Sequence, residues 1–127
     1  MEQGRKRILI VDDDETIRTA LTDFFLIKGY YAVNAETGPL ALAMLPIFRP
    51  DLVLLDIFMP GMDGLAVLKR MKEWNPDLVV VMLTGANDLS TAQAAMRAGA
   101  NDYLTKPFRY NQLETVISVH LLLHSGA

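Results

Sequence analysis

Ile8-Leu9-Ile10-Val11-Asp12-Asp13-Asp14 is a run of four apolar residues stopped by three carboxylates. A strand exposed on one face alternates apolar and polar residues. A strand without that alternation is buried on both faces, as in a parallel sheet covered by helices. Leu52-Val53-Leu54-Leu55 and Val79 through Leu83 have the same character. Tyr30 to Ala35 is more mixed and suits an edge strand, and Asn101 to Thr105 completes a set of five. Between and after these strands lie five segments with helical spacing. Ile17, Leu21, Phe24 and Phe25 form the first stripe, ending at Lys28-Gly29. Leu40, Ala41, Met44 and Leu45 form the second, behind Pro39 in a first turn. Leu65, Leu68 and Met71 form the third, and Leu89, Ala92 and Met96, closed by Gly99, the fourth. Leu113, Val116, Ile117 and Leu121 form the fifth. Strand and helix alternate five times, which predicts an α/β fold with an open, doubly wound parallel sheet. Right-handed crossovers place helices on both faces, and the working site of such a sheet lies beyond the carboxyl ends of its strands.

Polar residues stand at those ends. Asp12-Asp13-Asp14 follows the first strand, Asp56 the third, Thr84 the fourth and Lys106-Pro107 the fifth. Singly, each has a plain structural explanation: a helix cap, a turn, a strand end, a surface lysine. Together they converge on one edge. If Asp12, Asp13 and Asp56 lie within about 5 Å of one another, each pair repels by roughly 3 kcal/mol at an effective dielectric of ~20. Such a cluster must take up protons or bind a cation, and hard oxygen ligands in an exposed crevice favour Mg²⁺. Lys106 adds a fixed positive charge. A metal, a lysine and a threonine hydroxyl suit the spread charge of a transferring phosphoryl group, with Asp56 as nucleophile. Asp14 is assigned to the following helix.

The bulk properties bound the function. The chain has 127 residues, 51% hydrophobic and 21% charged, as expected of one folded domain with a core over about residues 7–124 and no output domain. The net charge of −3 carries no electrostatic footprint for direct nucleic-acid binding. Cysteine is absent, which excludes a disulfide framework and thiolate metal sites and suits a cytoplasmic location. No apolar run approaches the about 18 residues of a membrane span, and the run after the basic N-terminus is too short for a signal peptide.

In order and spacing, four segments resemble the receiver domain of two-component response regulators, from about Arg7 to His124. They are Ile10-Val11-Asp12-Asp13, Asp56 with Met59-Pro60-Gly61-Met62-Asp63-Gly64, Leu83-Thr84-Gly85, and the stretch from Ala98-Gly99-Ala100 through Lys106-Pro107-Phe108. The resemblance implies a flavodoxin-like sheet of order 2-1-3-4-5. It implies that Asp56 takes a phosphoryl group from a sensor histidine kinase or phosphotransfer protein and loses it by hydrolysis. It also implies Mg²⁺ coordination by Asp13, Asp56 and the backbone carbonyl of Phe58, with Asp12 acting through water. Thr84 and Lys106 would contact the phosphoryl oxygens, Tyr103 would change rotamer on activation, and the Lys106-Pro107 bond would be cis.

Phe58 and Ala86 stand where polar residues are often found, and neither side chain can orient an attacking water. The last helix carries Asn111, Gln112, Glu114, Thr115 and Ser118 instead of the basic residues of the winged-helix branch. It also carries Val119, Leu122 and Leu123 beyond its core stripe, which suits a homodimer through the fourth helix, fifth strand and fifth helix. His120 and His124 have zinc-binding spacing but no acidic or thiol partner nearby in sequence. Trp74, Tyr30 and Tyr31 read as packing residues. Two other functions fit less well. An aspartyl-phosphate hydrolase or mutase would need a second aspartate where Phe58 stands, and a receiver-shaped scaffold that is never phosphorylated would not need the full set of polar residues. A flavodoxin-like carrier is excluded because Asp12-Asp13-Asp14 would repel its phosphate.

Overall fold

The computed structural model describes residues 4–59, 62–85 and 87–124. Pro60, Gly61 and Ala86, named above, lie outside them. The main elements in chain order are β1 (Arg7–Val11), α1 (Glu15–Ile27), β2 (Tyr31–Ala35), α2 (Gly38–Phe48) and β3 (Leu52–Asp56), then β4 (Phe58–Met59), β5 (Met62–Asp63), α3 (Gly64–Trp74), β6 (Val79–Gly85), α4 (Leu89–Arg97), β7 (Asp102–Lys106) and α5 (Tyr110–Leu123). The five-stranded sheet has the order β2-β1-β3-β6-β7, with every pairing parallel. This is the order expected of five strands once β4 and β5 are set aside. These two short strands form a separate antiparallel pair beyond the five strands expected from the sequence.

Successive side chains of a strand point to opposite faces, so each apolar run feeds two cores. Ile8 and Ile10 of β1 join Leu21 and Phe25 of α1 and Leu113, Ile117 and Leu121 of α5. Leu9 and Val11 join Ala41 and Leu45 of α2, Val67, Leu68 and Met71 of α3, and Ala95 of α4. Helices therefore cover both faces, which is why β1, β3 and β6 show no polar alternation. A fully buried leucine or isoleucine stabilises the fold by roughly 1.5–3 kcal/mol, and β3 is buried from end to end.

In α4 the expected stripe is corrected. Leu89 and Met96 are exposed, and the buried positions are Ala92 and Ala95. Leu40 of α2 is likewise exposed. No helix among the described residues is long and apolar enough to cross a membrane.

The sheet's carboxyl edge is shaped by one close approach. A Cβ on Gly64, the first residue of α3, would lie 2.6 Å from the carbonyl oxygen of Ile57 and 2.8 Å from its Cα. Only glycine lets α3 sit against the backbone that follows Asp56.

Candidate functional site

Four adjacent strands deliver polar groups to one edge. Asp12 follows β1 and is fully buried. Asp56 is the last residue of β3 and 5% exposed, and Thr84, inside β6 and not beyond it, is 1% exposed. Lys106 ends β7, and the peptide bond to Pro107 is cis. Ligand oxygens of Asp12, Asp13 and Asp56 all lie within 4.8 Å of one another, with Asp13 on the exposed side. Among the described residues this is the one group of three that could hold a metal ion.

The Lys106 ammonium lies 2.9 Å from Asp12 Oδ2 and 3.5 Å from Asp56 Oδ2. The Asp14 N–H donates to Asp12 Oδ1 at 2.9 Å, and the Phe58 N–H donates to Asp56 Oδ1 at 3.1 Å. Burial, and then the charge of Asp12, push the Asp56 carboxyl from its ordinary 3.8 up to about 6, against the pull of Lys106 and the Phe58 N–H. Burial works against the Lys106 ammonium too. Its bond to Asp12 and its attraction to Asp56 outweigh that and hold its pKa above the ordinary lysine value. Three carboxylates thus face one ammonium, and the excess negative charge sits on oxygen ligands alone. That donor set fits Mg²⁺, which takes one or two carboxylates and keeps several waters.

The Thr84 hydroxyl is buried without a hydrogen-bond partner. A buried hydroxyl left unpaired costs on the order of 1–3 kcal/mol, so this group is poised for an acceptor. Asp14 caps α1, accepting from the Thr16 and Ile17 N–H groups, and is not part of the cluster. Tyr103 is partly buried against the core under α4. Beside the site an apolar groove of about 440 Å³ runs between Ile17 and Ala20 of α1 and the Pro107-Phe108 turn, with Lys106 among its lining residues.

Two groups escaped the sequence reading. The Arg18 guanidinium donates to the Asp12 main-chain carbonyl at 2.9 Å. Its one signal was a cation near the N-terminus of α1, where the helix dipole disfavours it. The second is the acidic partner of His120. It is Asp102, whose Oδ2 lies 2.9 Å from His120 Nε2 and whose Oδ1 accepts from the Tyr103 N–H. This pair ties α5 to β7, and His124 stacks on His120 at 5.8 Å.

Comparison with known proteins shows the family and the fold. A family model described as the response regulator receiver domain matches residues 8–118. The regulatory protein AtoC of Escherichia coli is 39% identical over 119 residues, covering 94% of this chain but 26% of AtoC. Sporulation initiation phosphotransferase F of Bacillus subtilis is 38% identical over 121 residues, covering 95% of this chain and 98% of that protein. The crystal structure of a CheY-like response regulator receiver domain protein from Methanospirillum hungatei superposes with a TM-score of 0.91 at 31% identity, covering 96% of this chain and 98% of that one.

Proposed function

The chain belongs to the response regulator receiver family, and on that premise we propose that Asp56 is its phosphoacceptor, charged by the phosphohistidine of a sensor kinase or phosphotransfer protein. The observation that carries the reading is the unbalanced charge around a buried carboxylate at the end of a central strand. Asp13, Asp56 and the Phe58 carbonyl would hold Mg²⁺, with Asp12 acting through water. The ion supplies charge neutralisation for the nucleophile and the transferring group. An Asp56 oxygen attacks phosphorus as the donor's P–N bond breaks, and the leaving imidazole keeps the bonding electrons. Lys106 stabilises charge on a phosphoryl oxygen, and the Thr84 hydroxyl finds there the acceptor it lacks. The apolar groove between α1 and the Pro107-Phe108 turn, which Lys106 also lines, suits an apolar surface of the donor protein. Hydrolysis of the acyl phosphate returns Asp56, so the only chemistry catalysed is the domain's own.

On this reading residues 7–124 form one cytoplasmic receiver domain without direct contact to nucleic acid. Thr84 and Tyr103 relay its state to the face of α4, β7 and α5. Exposed Leu89, Met96, Val119, Leu122 and Leu123 on α4 and α5 suit self-association there. Incubation with Mg²⁺ and a small acyl phosphate should add one acid-labile phosphoryl group by intact mass, and none to Asp56→Asn. Label persisting on that variant would place the acceptor elsewhere. Asp13→Asn should slow labelling more than Asp14→Asn. Sedimentation of the labelled protein should shift toward dimer, and a monomer in both states removes the self-association.

A further inference from the structure

Every acceptor oxygen of Asp12 has a donor. Oδ2 faces the Lys106 ammonium, Oδ1 the Asp14 N–H, and the main-chain carbonyl the Arg18 guanidinium, each at 2.9 Å. The first two bonds arise from the strand ends and the helix cap. The third is set by a side chain that the helix itself disfavours, since a cation near the N-terminus of α1 opposes the dipole. The compensation is local and directional. The carbonyl of Asp12 belongs to the peptide plane that leads into Asp13, so a donor on that oxygen fixes how the Asp13 backbone leaves the sheet.

We propose that Arg18 is a positioning residue for the cation site, a strut from α1 that sets the Asp12–Asp13 peptide plane and so aims the Asp13 carboxylate. The base of the strut is itself fixed. The Arg18 carbonyl accepts from the Thr22 hydroxyl at 2.7 Å, and that hydroxyl accepts from Asn34 of β2 at 2.9 Å. Asp14, accepting from two N–H groups, anchors the start of the same helix. The inference rests on the reading that Asp13 and Asp56 hold Mg²⁺.

Strut and bare charge predict opposite signs. A cation near three carboxylates competes with Mg²⁺, so if Arg18 acted by charge alone its removal would tighten metal binding. If it acts as a strut, removal loosens the ligand loop and weakens binding. Calorimetric Mg²⁺ titration of the unphosphorylated chain separates the two. Arg18→Met, which lacks donor and charge, should bind Mg²⁺ at least about ten-fold more weakly, the worth of one hydrogen bond from a charged donor. Arg18→Lys, which keeps the charge but loses the planar fork, should fall between the two proteins. Charge alone would leave it unchanged. Amide chemical shifts of Asp12 and Asp13 should move in both variants before any metal is added. Unaltered or tighter binding in Arg18→Met overturns the strut. So does unaltered binding in Arg18→Lys, which decides the question if the methionine variant fails to fold. An unsubstituted chain that binds no Mg²⁺ overturns the parent reading as well, and that outcome is distinct from equal binding by parent and variants.

Discussion

At the amino ends of the strands the half-buried cations are closed off by neutral acceptors and aromatic faces, whereas at the carboxyl ends the charges do not balance. The Lys72 ammonium donates to the Leu78 carbonyl at 2.6 Å and to Asn101 Oδ1 at 2.8 Å. Arg7 donates from Nε to the Phe48 carbonyl at 2.7 Å, and its guanidinium lies over the rings of Phe48 and Tyr31 at 4.5 and 5.1 Å. At the other edge three carboxylates share one ammonium, and the Thr84 hydroxyl has no partner. The same sheet, with the same apolar interior, therefore holds one finished edge and one unfinished edge. A structural polar network gains by completing its hydrogen bonds. A site that must receive a ligand leaves bonds for the ligand to complete.

The largest expected effect tests the unfinished edge directly. Asp56 has its folded pKa raised to about 6 from 3.8, so between those values the folded state binds more protons than the unfolded one. The folded state then loses stability as pH rises through about 6, by on the order of 2–3 kcal/mol in the metal-free protein. Asp56→Asn should be more stable than the parent by about that much at pH 7.5, and the gap should shrink to near zero by about pH 4. Saturating Mg²⁺ should narrow the gap at pH 7.5. Denaturant melts at three pH values measure it, and a gap independent of pH would break the comparison.

Lys72→Met should behave in the opposite manner. It keeps most of the stem and removes the ammonium, leaving the Leu78 carbonyl one donor short. A loss of about 1–2 kcal/mol is expected from the urea midpoint, with Mg²⁺ affinity unchanged. Loss of Mg²⁺ affinity with an unchanged midpoint would show that the two edges are not separable.

The smallest effect concerns the mouth of the site. The Phe58 ring is 54% exposed two residues beyond Asp56, where it can hinder water but cannot orient it. Phe58→Asn should speed loss of the phosphoryl group about five-fold, equivalent to ~1 kcal/mol of barrier. An unchanged decay followed by intact mass would assign water access to another group.

The sheet was legible because a strand buried on both faces must be apolar throughout, and β1, β3 and β6 are. The convergence of Asp12, Asp56, Thr84 and Lys106 followed from topology, since parallel strands deliver all their carboxyl ends to one edge. The phase of α4 was not legible. Leu89, Ala92 and Met96 have helical spacing, but the helix packs through small side chains, Ala92 and Ala95, and the larger residues are left exposed. Hydrophobicity alone does not reveal that preference for close approach. The β4–β5 pair has two residues per strand, too few to show any alternation. Arg18 and the Asp102–His120 pair depend on side chains meeting between elements. Asp102 and His120 lie 18 positions apart, well beyond the reach of spacing arguments along one helix.

Asn101 binds Val80 twice, donating its N–H to the Val80 carbonyl at 2.8 Å and accepting the Val80 N–H on its side chain at 2.9 Å. This pair of hydrogen bonds at the start of β6 and β7 helps to set the phase in which the two strands run side by side. A strand can slip only in whole residues, and one step of about 3.3 Å turns every side chain to the opposite face. Thr84 then cannot drift gradually out of place. Its hydroxyl is either at the site or turned away from it, and the pairing of β6 with β3 on one side and β7 on the other, this far joint included, holds it at the site.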